Sequence, residues 1–137
     1  MIVKVDRAVL LLVMGVCVLV SGCKGSETIW SAESRSPDGK MLATARAVAQ
    51  SGFGTGYIET FVYLNRSKGS QSPVEILGLS EESEAPNATT VEMKWLTPAH
   101  LELVYNGPRT VDFQASKYVG IDISVRDLSS GKVGSSQ

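Results

Sequence analysis

The chain has 137 residues, with 13 basic and 14 acidic side chains, and 43% of its residues are hydrophobic. The hydrophobic residues concentrate in the first 22 positions. Removing these leaves 115 residues, enough for one compact domain but too few for two. That remainder has 11 basic and 13 acidic side chains, and a weakly acidic domain lacks the basic surface of a nucleic-acid-binding protein.

Residues 1–22 have the pattern of a secretory signal peptide. Lys4 and Arg7 precede an uncharged run over residues 8–20, AVLLLVMGVCVLV. As a helix this run would be about 20 Å long, which is shorter than the roughly 30 Å hydrocarbon core of a bilayer. The length therefore favours a cleaved signal peptide over a permanent membrane span. A short anchor helix that is never cleaved is the alternative.

The residues that follow this run, Val20-Ser21-Gly22-Cys23, resemble the lipobox of bacterial lipoproteins. In that family the cysteine thiolate accepts diacylglycerol as a thioether, and a membrane-embedded peptidase cleaves the bond before it. The small residues at the two preceding positions let the peptidase approach the bond. The resemblance implies cleavage between Gly22 and Cys23 and a lipidated, acylated N-terminus at Cys23.

Cys17 is the other candidate for lipidation and is disfavoured. Bulky Val16 precedes it, and it lies in the middle of the apolar run. A disulfide between Cys17 and Cys23 would join the leader to its own end and would stabilise nothing in the folded domain. The mature domain is therefore expected to be held together by burial alone.

The acyl chains on Cys23 predict attachment to a membrane, because several chains anchor a protein stably where one does not. Lipoproteins retained at the inner membrane typically carry Asp after the cysteine, and here that position is Lys24. In a bacterium with two membranes the resemblance therefore implies the periplasmic face of the outer membrane. With one membrane, it implies the outer face of the cell membrane.

The rest of the chain predicts one all-β domain over residues 29–130, between a lipidated tether (23–28) and a disordered tail (131–137). Polar and apolar residues alternate in four successive runs, which is typical of half-buried antiparallel strands. We expect about seven strands, near 29–34, 40–49, 57–66, 73–79, 90–96, 100–106 and 110–127, with a bend of the last near 115–117. Either a small sandwich or a curved meander would accommodate them.

Turn residues separate these runs. Pro37-Asp38-Gly39, Thr97-Pro98-Ala99 and Asn106-Gly107-Pro108 are tight-turn sequences. The segment 36–43, SPDGKMLA, resembles the hairpin turns of β-propeller repeats and of small one-domain bacterial lipoproteins, but 115 residues are too few for the four or so blades of a propeller. The resemblance implies local hairpin geometry only.

A set of apolar residues from these runs forms the predicted core. They are Trp30, Val62, Leu64, Ile76, Val91, Met93, Trp95, Leu101, Leu103, Val111, Phe113, Ile121 and Ile123.

No group of residues predicts catalysis. The glycines of 51–57 (SGFGTGY) lack the following helix and Lys-Ser/Thr pair of a phosphate-binding loop. His100 is the only histidine and is expected to face solvent, whereas a hydrolytic triad needs a nucleophile and an orienting acid beside it. Asp112 and Asp122 fit the polar faces of their strands.

Metal and cofactor sites are not predicted either. One histidine cannot complete a zinc site, which takes about four Cys or His ligands. The acidic residues Glu81, Glu82 and Glu84 lack the regular spacing of a calcium loop and are expected to form a solvated loop.

These observations predict a non-catalytic, membrane-anchored envelope lipoprotein whose β domain contacts a protein or an envelope polymer. A small-ligand-binding lipoprotein is the alternative, and a hydrolase is a weaker one. The candidate contact residues are Phe53, Tyr57 and Tyr63, in and beside the glycine-rich loop. A concave apolar pocket would favour the ligand-binding function, and a flat aromatic patch would favour a partner protein.

Overall fold

A computed structural model describes residues 25–50, 56–81 and 90–130, and its regular elements over these ranges are all β-strands. In chain order they are β1 (Ser26–Arg35), β2 (Met41–Gln50), β3 (Tyr57–Arg66), β4 (Val74–Glu81), β5 (Val91–Thr97), β6 (His100–Tyr105), β7 (Thr110–Gln114), β8 (Lys117–Tyr118) and β9 (Ile121–Asp127). The all-β prediction is confirmed. The described ranges hold nine strands instead of seven, because the segment expected as 110–127 divides into three.

The strands form two sheets, one of five strands in the order β1-β2-β3-β4-β7 and one of four in the order β5-β6-β9-β8. A single cluster of buried side chains contains residues of both sheets, including Val62 and Leu64 of the first and Leu101 and Leu103 of the second. The two sheets therefore pack face to face. Of the two architectures that the sequence left open, the structure is the sandwich.

Small residues of β2 make the close contact between the sheets possible. Ala43, Ala45 and Ala47 are at most 1% exposed, and the residues between them are half-buried or exposed. In the register with β3, Ala43 lies opposite Leu64 and Ala45 lies opposite Val62. Small side chains thus alternate with large ones on the inner face, while the other face of the sheet points to solvent.

One pair of strands departs from the antiparallel arrangement that we predicted. β6 and β9 pair in parallel, with His100 opposite Asp122. Parallel neighbours need a long crossover, and here the chain supplies it by leaving the four-stranded sheet after β6 and running as β7 in the other sheet. It crosses back at residues 115–116: the Ala115 amide donates to Ile76 O (2.9 Å), and the Ile123 amide donates to Ser116 O (2.9 Å). The predicted bend near 115–117 is this crossing.

The predicted core is mostly correct but wrong at β7. Eight of its members are buried, and Trp30, Met93 and Trp95 pack partly buried against them. Val111 and Phe113, by contrast, are 41% and 47% exposed. Both lie on the edge strand β7, whose register with β4 shifts between Gly78 and Leu79. Phe113 pairs with Gly78 and therefore stands on the solvent face of the sheet, whereas Val111 pairs with the buried Leu79 and faces the sandwich, where the two-residue strand β8 leaves it partly uncovered.

The β1–β2 turn has the geometry that its sequence predicts. The Gly39 amide donates to Ser36 O (2.8 Å), and Gly39 has a φ of 73°. The Asp38 carboxylate accepts from Ser36 Oγ (2.7 Å) and from the Lys40 amide (3.1 Å). These bonds keep the pKa of Asp38 below its usual value, the Ser36 bond having the larger effect.

Candidate functional site: the solvent face of the five-stranded sheet

The solvent face of the five-stranded sheet carries a row of aromatic and basic residues. Antiparallel pairing places four residues in line across β2, β3, β4 and β7: Arg46, Phe61, Gly78 and Phe113. Neighbouring strands are about 4.8 Å apart, so the row is roughly 15 Å long. With Tyr63, these residues define the surface that we call the aromatic face.

The alternation of β3 sets which side chains reach this face. Thr60, Val62 and Leu64 are at most 2% exposed and point into the sandwich. Phe61 and Tyr63 lie between them, so their rings stand on the opposite side of the sheet, where both are half-buried. The two ring centroids are 6.2 Å apart, and the planes are tilted by 36°. Two neighbouring rings on one strand thus form a continuous apolar surface.

Arg46 is held against Tyr63 in two ways. Its guanidinium carbon lies 5.3 Å from the centroid of the ring, a cation–π distance. Its Nη2 also donates to the Tyr63 hydroxyl, at 3.4 Å. Within the described residues no carboxylate forms an ion pair with Arg46. The guanidinium is therefore positioned by an aromatic ring and retains an uncompensated positive charge.

Gly78 separates the two aromatic side chains of the row. It has no side chain of its own, and a Cβ placed there would lie 3.7 Å from the Phe113 Cβ and 2.8 Å from Oε1 of Glu75. Phe113 and Glu75 therefore lean over the glycine backbone. On the same side, Ser80 Oγ donates to Asp112 Oδ1 (3.1 Å). The β7 end of the aromatic face thus has acidic groups around an exposed phenyl ring.

A shallow depression of about 630 Å³ lies beside Tyr63 on this face. It is wide open to solvent and has charges of both signs. Its lining includes Ser31, Glu33, Thr44, Arg46, Tyr63 and Pro73. A projecting side chain could enter it without any rearrangement of the strands.

Of the three predicted contact residues, the structure places Tyr63 in the aromatic face. Tyr57 is 42% exposed on the same side of β3, but it lies six positions along the strand from Tyr63, a distance of about 20 Å. Phe53 lies outside the described residues. Sequence reasoning missed Arg46, Phe61 and Phe113. The alternation of β3 could have identified Phe61, since it shares a face with Tyr63, but the residues that neighbour it depend on strand order.

The predicted lipidation site, Cys23, and the cleavage position, Gly22, lie outside the described residues, as does Lys24. Across the three described ranges, no helix is long and apolar enough to cross a membrane.

The sequence predicts that His100 faces solvent, and the structure corrects this prediction. The residue is half-buried, and its Nε2 lies 2.9 Å from Ser124 Oγ. Its neighbour Glu102 pairs instead with Arg126, at 3.4 Å. In the described part of the chain no acid bonds to the other ring nitrogen, the position that the orienting acid of a hydrolytic triad occupies. Asp112 and Asp122, both exposed, lie on different sheets.

Glu81 is a correction to the predicted solvated loop. It is the last residue of β4, is 7% exposed, and lies 3.8 Å from Nε of Arg109. Burial lowers the pKa of Arg109, and the nearby charge of Glu81 opposes that effect. Glu82 and Glu84 lie outside the described residues. Among the residues that are described, no three His, Cys, Asp or Glu side chains come together as metal ligands would.

Models of known protein families, curated protein sequences and solved structures give no match to this chain.

Proposed function

We propose that this protein is a lipid-anchored envelope protein, without catalytic activity, that binds a partner protein through the aromatic face. The lipobox resemblance at Val20–Cys23 supports the anchor, and Lys24 supports the outer membrane where the cell has two. The row from Arg46 to Phe113 on the solvent face, exposed at both of its ends, supports the contact function and is the observation that carries it.

The composition of the aromatic face is that of a protein interface. Tyr, Phe and Arg are enriched where interfaces concentrate their binding energy. The face combines Phe61, Tyr63 and Phe113 with one positioned guanidinium, that of Arg46. Large rings that stand on rigid strands lose little conformational freedom on binding.

A partner protein fits this face better than an extended polymer does. The row lies on paired strands, and the depression beside Tyr63 is wide and open to solvent. A depression of this size admits projecting side chains of a partner protein. The uncompensated charge of Arg46 at its edge favours a partner that presents a carboxylate next to an apolar residue.

The proposed tether sets how the sandwich lies on the membrane. β1 begins at Ser26, three positions after Cys23, so an extended tether reaches only about 10 Å. The Ser26 end of the sandwich would then lie at the bilayer, and the aromatic face would stand upright beside it. A partner held in the same membrane, or just above it, could reach this face from the side.

Crosslinking in intact cells tests the contact function. A photoreactive amino acid in place of Phe113 is expected to capture a defined protein, since this side chain is exposed on the edge strand β7. The same substitution at Glu92, an exposed position on the other sheet, is the control and is expected to capture none.

A paired substitution sharpens this experiment. Arg46→Ser and Tyr63→Ser should each lower the yield of the Phe113 adduct by about tenfold, the result of losing roughly 1.4 kcal/mol of contact energy. Lys94→Ser, on the other sheet, should leave the yield unchanged. Equal adducts at positions 113 and 92, or capture of a glycan at position 113 in place of a protein, would contradict the proposal.

A further inference from the structure

A second concave site lies at one end of the sandwich, where the two sheets separate. It is a cleft of about 650 Å³, within the range of small-molecule sites. Four connections border it, and each contributes a residue: Gly39 from β1–β2, Lys68 from β3–β4, Pro98 from β5–β6 and Val119 from β8–β9. We call this site the end cleft.

The floor of the end cleft is the exposed end of the core. Met41 of one sheet and Ile121 of the other are 6% and 7% exposed and line it. Pro98 and Val119 add apolar surface on the side of the four-stranded sheet. An apolar group of a ligand would therefore find a continuation of the hydrophobic core.

The rim of the end cleft is basic. Lys40, Arg66 and Lys68 line it, and among the described residues none of the three forms an ion pair. Arg66 lies opposite Met41 in the register and continues the inward face of β3, so its side chain reaches over the cleft floor. Among the described residues of the lining, Asp38 is the one acid, and its carboxylate already accepts hydrogen bonds from Ser36 and Lys40. The rim thus carries excess positive charge on a weakly acidic domain.

Val119 has a backbone conformation that a valine rarely adopts. β8 and β9 are joined by a two-residue turn, with Tyr118 opposite Ile121, and both turn residues have positive φ, 47° at Val119 and 78° at Gly120. Asn or Gly is preferred at the first of these positions, and a β-branched residue there is strained. The valine side chain is also 49% exposed. Neither folding nor burial accounts for an apolar residue at this point of the cleft wall, and strain of this kind concentrates at functional sites.

We propose that the end cleft binds a small amphipathic anion, with a phosphate or carboxylate head and a compact apolar body. Lys40, Arg66 and Lys68 hold the head at the rim, and Met41, Val119 and Ile121 cover the apolar body. The charge of the rim excludes cationic ligands of the same shape.

The end cleft is separate from the aromatic face, because none of the residues that line it belongs to that face. It also lies far from the end of the sandwich where β1 begins. It lies at the opposite end of the ten-residue strand β2 from Gln50, and Gln50 pairs with Ser26. The distance along β2 is roughly 30 Å. An anchor at Cys23 would therefore leave the end cleft facing away from the bilayer, and this orientation alone rests on the proposed function.

Ligand titrations followed by NMR test the end cleft on the full chain as cells produce it. If the protein partitions to detergent, it is placed in zwitterionic nanodiscs; otherwise it is measured in buffer. Phenyl phosphate and benzoate are the ligands, since they carry a phosphate and a carboxylate head, respectively, on the same phenyl ring. At least one is expected to bind with a Kd below about 1 mM and to shift the amides of Gly39, Val119 and Gly120. Inorganic phosphate should bind at least about tenfold more weakly, and phenyltrimethylammonium should not bind.

Variants then separate a binding role from a structural one. Arg66→Gln should weaken binding by about tenfold, whereas Arg126→Gln, an exposed arginine on the four-stranded sheet, should not. Val119→Asn should weaken binding while raising the melting temperature, because it removes apolar surface and relieves the strained turn. The proposal is overturned if neither anion binds, if phenyltrimethylammonium binds equally well, or if Arg66→Gln and Val119→Asn both leave the affinity within about twofold.

Discussion

At the scale of single residues, two turns at the same end of the sandwich differ in how well their side chains suit the backbone conformation. In the β1–β2 turn the side chains suit the backbone: Asp38 accepts hydrogen bonds from its neighbours, and Gly39 takes the positive φ. In the β8–β9 turn Val119 opposes the backbone, because its branched Cβ crowds a left-handed conformation. Both turns border the end cleft.

The strain at Val119 predicts that a different side chain would stabilise the protein. Val119→Asn is expected to raise the free energy of unfolding by about 1 kcal/mol, the order of the strain carried by a branched residue in this region. Urea denaturation measures the change. Val74→Asn is the matched control, since Val74 is similarly exposed at 38% but does not have a positive φ, and it should give no gain. If the Val119→Asn protein is no more stable than wild type, the inference that Val119 is strained is wrong.

The lowered pKa of Asp38, in the β1–β2 turn, predicts that the stability of the protein depends on pH. Its folded pKa lies below its unfolded value of about 4, so its ionised form favours folding. That contribution is complete above the unfolded pKa and is lost as the pH falls through the folded pKa. The difference in melting temperature between wild type and Asp38→Ala should therefore be constant near neutral pH and should shrink as the pH falls below 4. A difference that grows in acid would contradict the assignment.

At the scale of elements, β7 joins the edge of its sheet partly through a buried ion pair. Arg109, just before β7, lies with its side chain 2% exposed and its Nε 3.8 Å from Oε2 of Glu81 at the end of β4. The guanidinium carbon is also 6.0 Å from the centroid of the Tyr105 ring. Nε and Nη1 of Arg109 and Oε2 of Glu81 have no hydrogen bond with any described residue. The pair is therefore held by charge attraction and by the ring, without good hydrogen-bond geometry.

Removing one partner of a buried ion pair lowers the free energy of unfolding by more than the intact pair contributes to it. Glu81→Ala should lower the free energy of unfolding by about 3–5 kcal/mol, since it leaves the Arg109 charge buried and alone. The double variant Glu81→Leu/Arg109→Met should recover most of that loss, because it removes both charges and keeps the volume. Urea denaturation of the two proteins measures this. A double variant no more stable than Glu81→Ala would show that the charges themselves hold β7 in place.

At the scale of the whole molecule, one continuous core holds two sheets together. The described residues include no cysteine. The sheets are also joined at one edge, where Nε1 of Trp95 on β5 donates to Ser34 O on β1 at 3.2 Å. The chain passes from sheet to sheet between β4 and β5 and on both sides of β7. Neither sheet can therefore form completely until most of the chain has folded.

The anchor is a property of the whole protein and has its own test. Cys23→Ser removes the sulfur that would accept diacylglycerol, so we expect an uncleaved precursor without lipid. Cys17→Ser should behave as wild type does. Detergent-phase partitioning and intact mass distinguish these outcomes. Wild-type protein that partitions to water, or whose mass lacks the diacylglycerol increment, would contradict the anchor.

The sequence by itself determined the local structure of this protein. The pattern of strand and turn residues placed strands near their observed positions, as at β3, which begins and ends where we predicted, at Tyr57 and Arg66. Turn residues marked Ser36–Gly39, because the backbone conformations they require are local properties of Pro, Asp and Gly. The lipobox prediction likewise depends only on adjacent residues, and it remains a prediction.

Only the tertiary structure decided which apolar faces are covered. Val111 and Phe113 alternate as core residues do, yet both are exposed. The register shift between β4 and β7 puts Phe113 on the solvent face, and the two-residue strand β8 of the other sheet leaves Val111 partly uncovered. The aromatic face needs Arg46, Phe61 and Phe113 in one row, which strand order and register set across 67 positions of sequence. The end cleft needs four separate turns to meet. Alternation specifies two faces for each strand, but burial depends on what packs against them, and that is decided by residues far away in the chain.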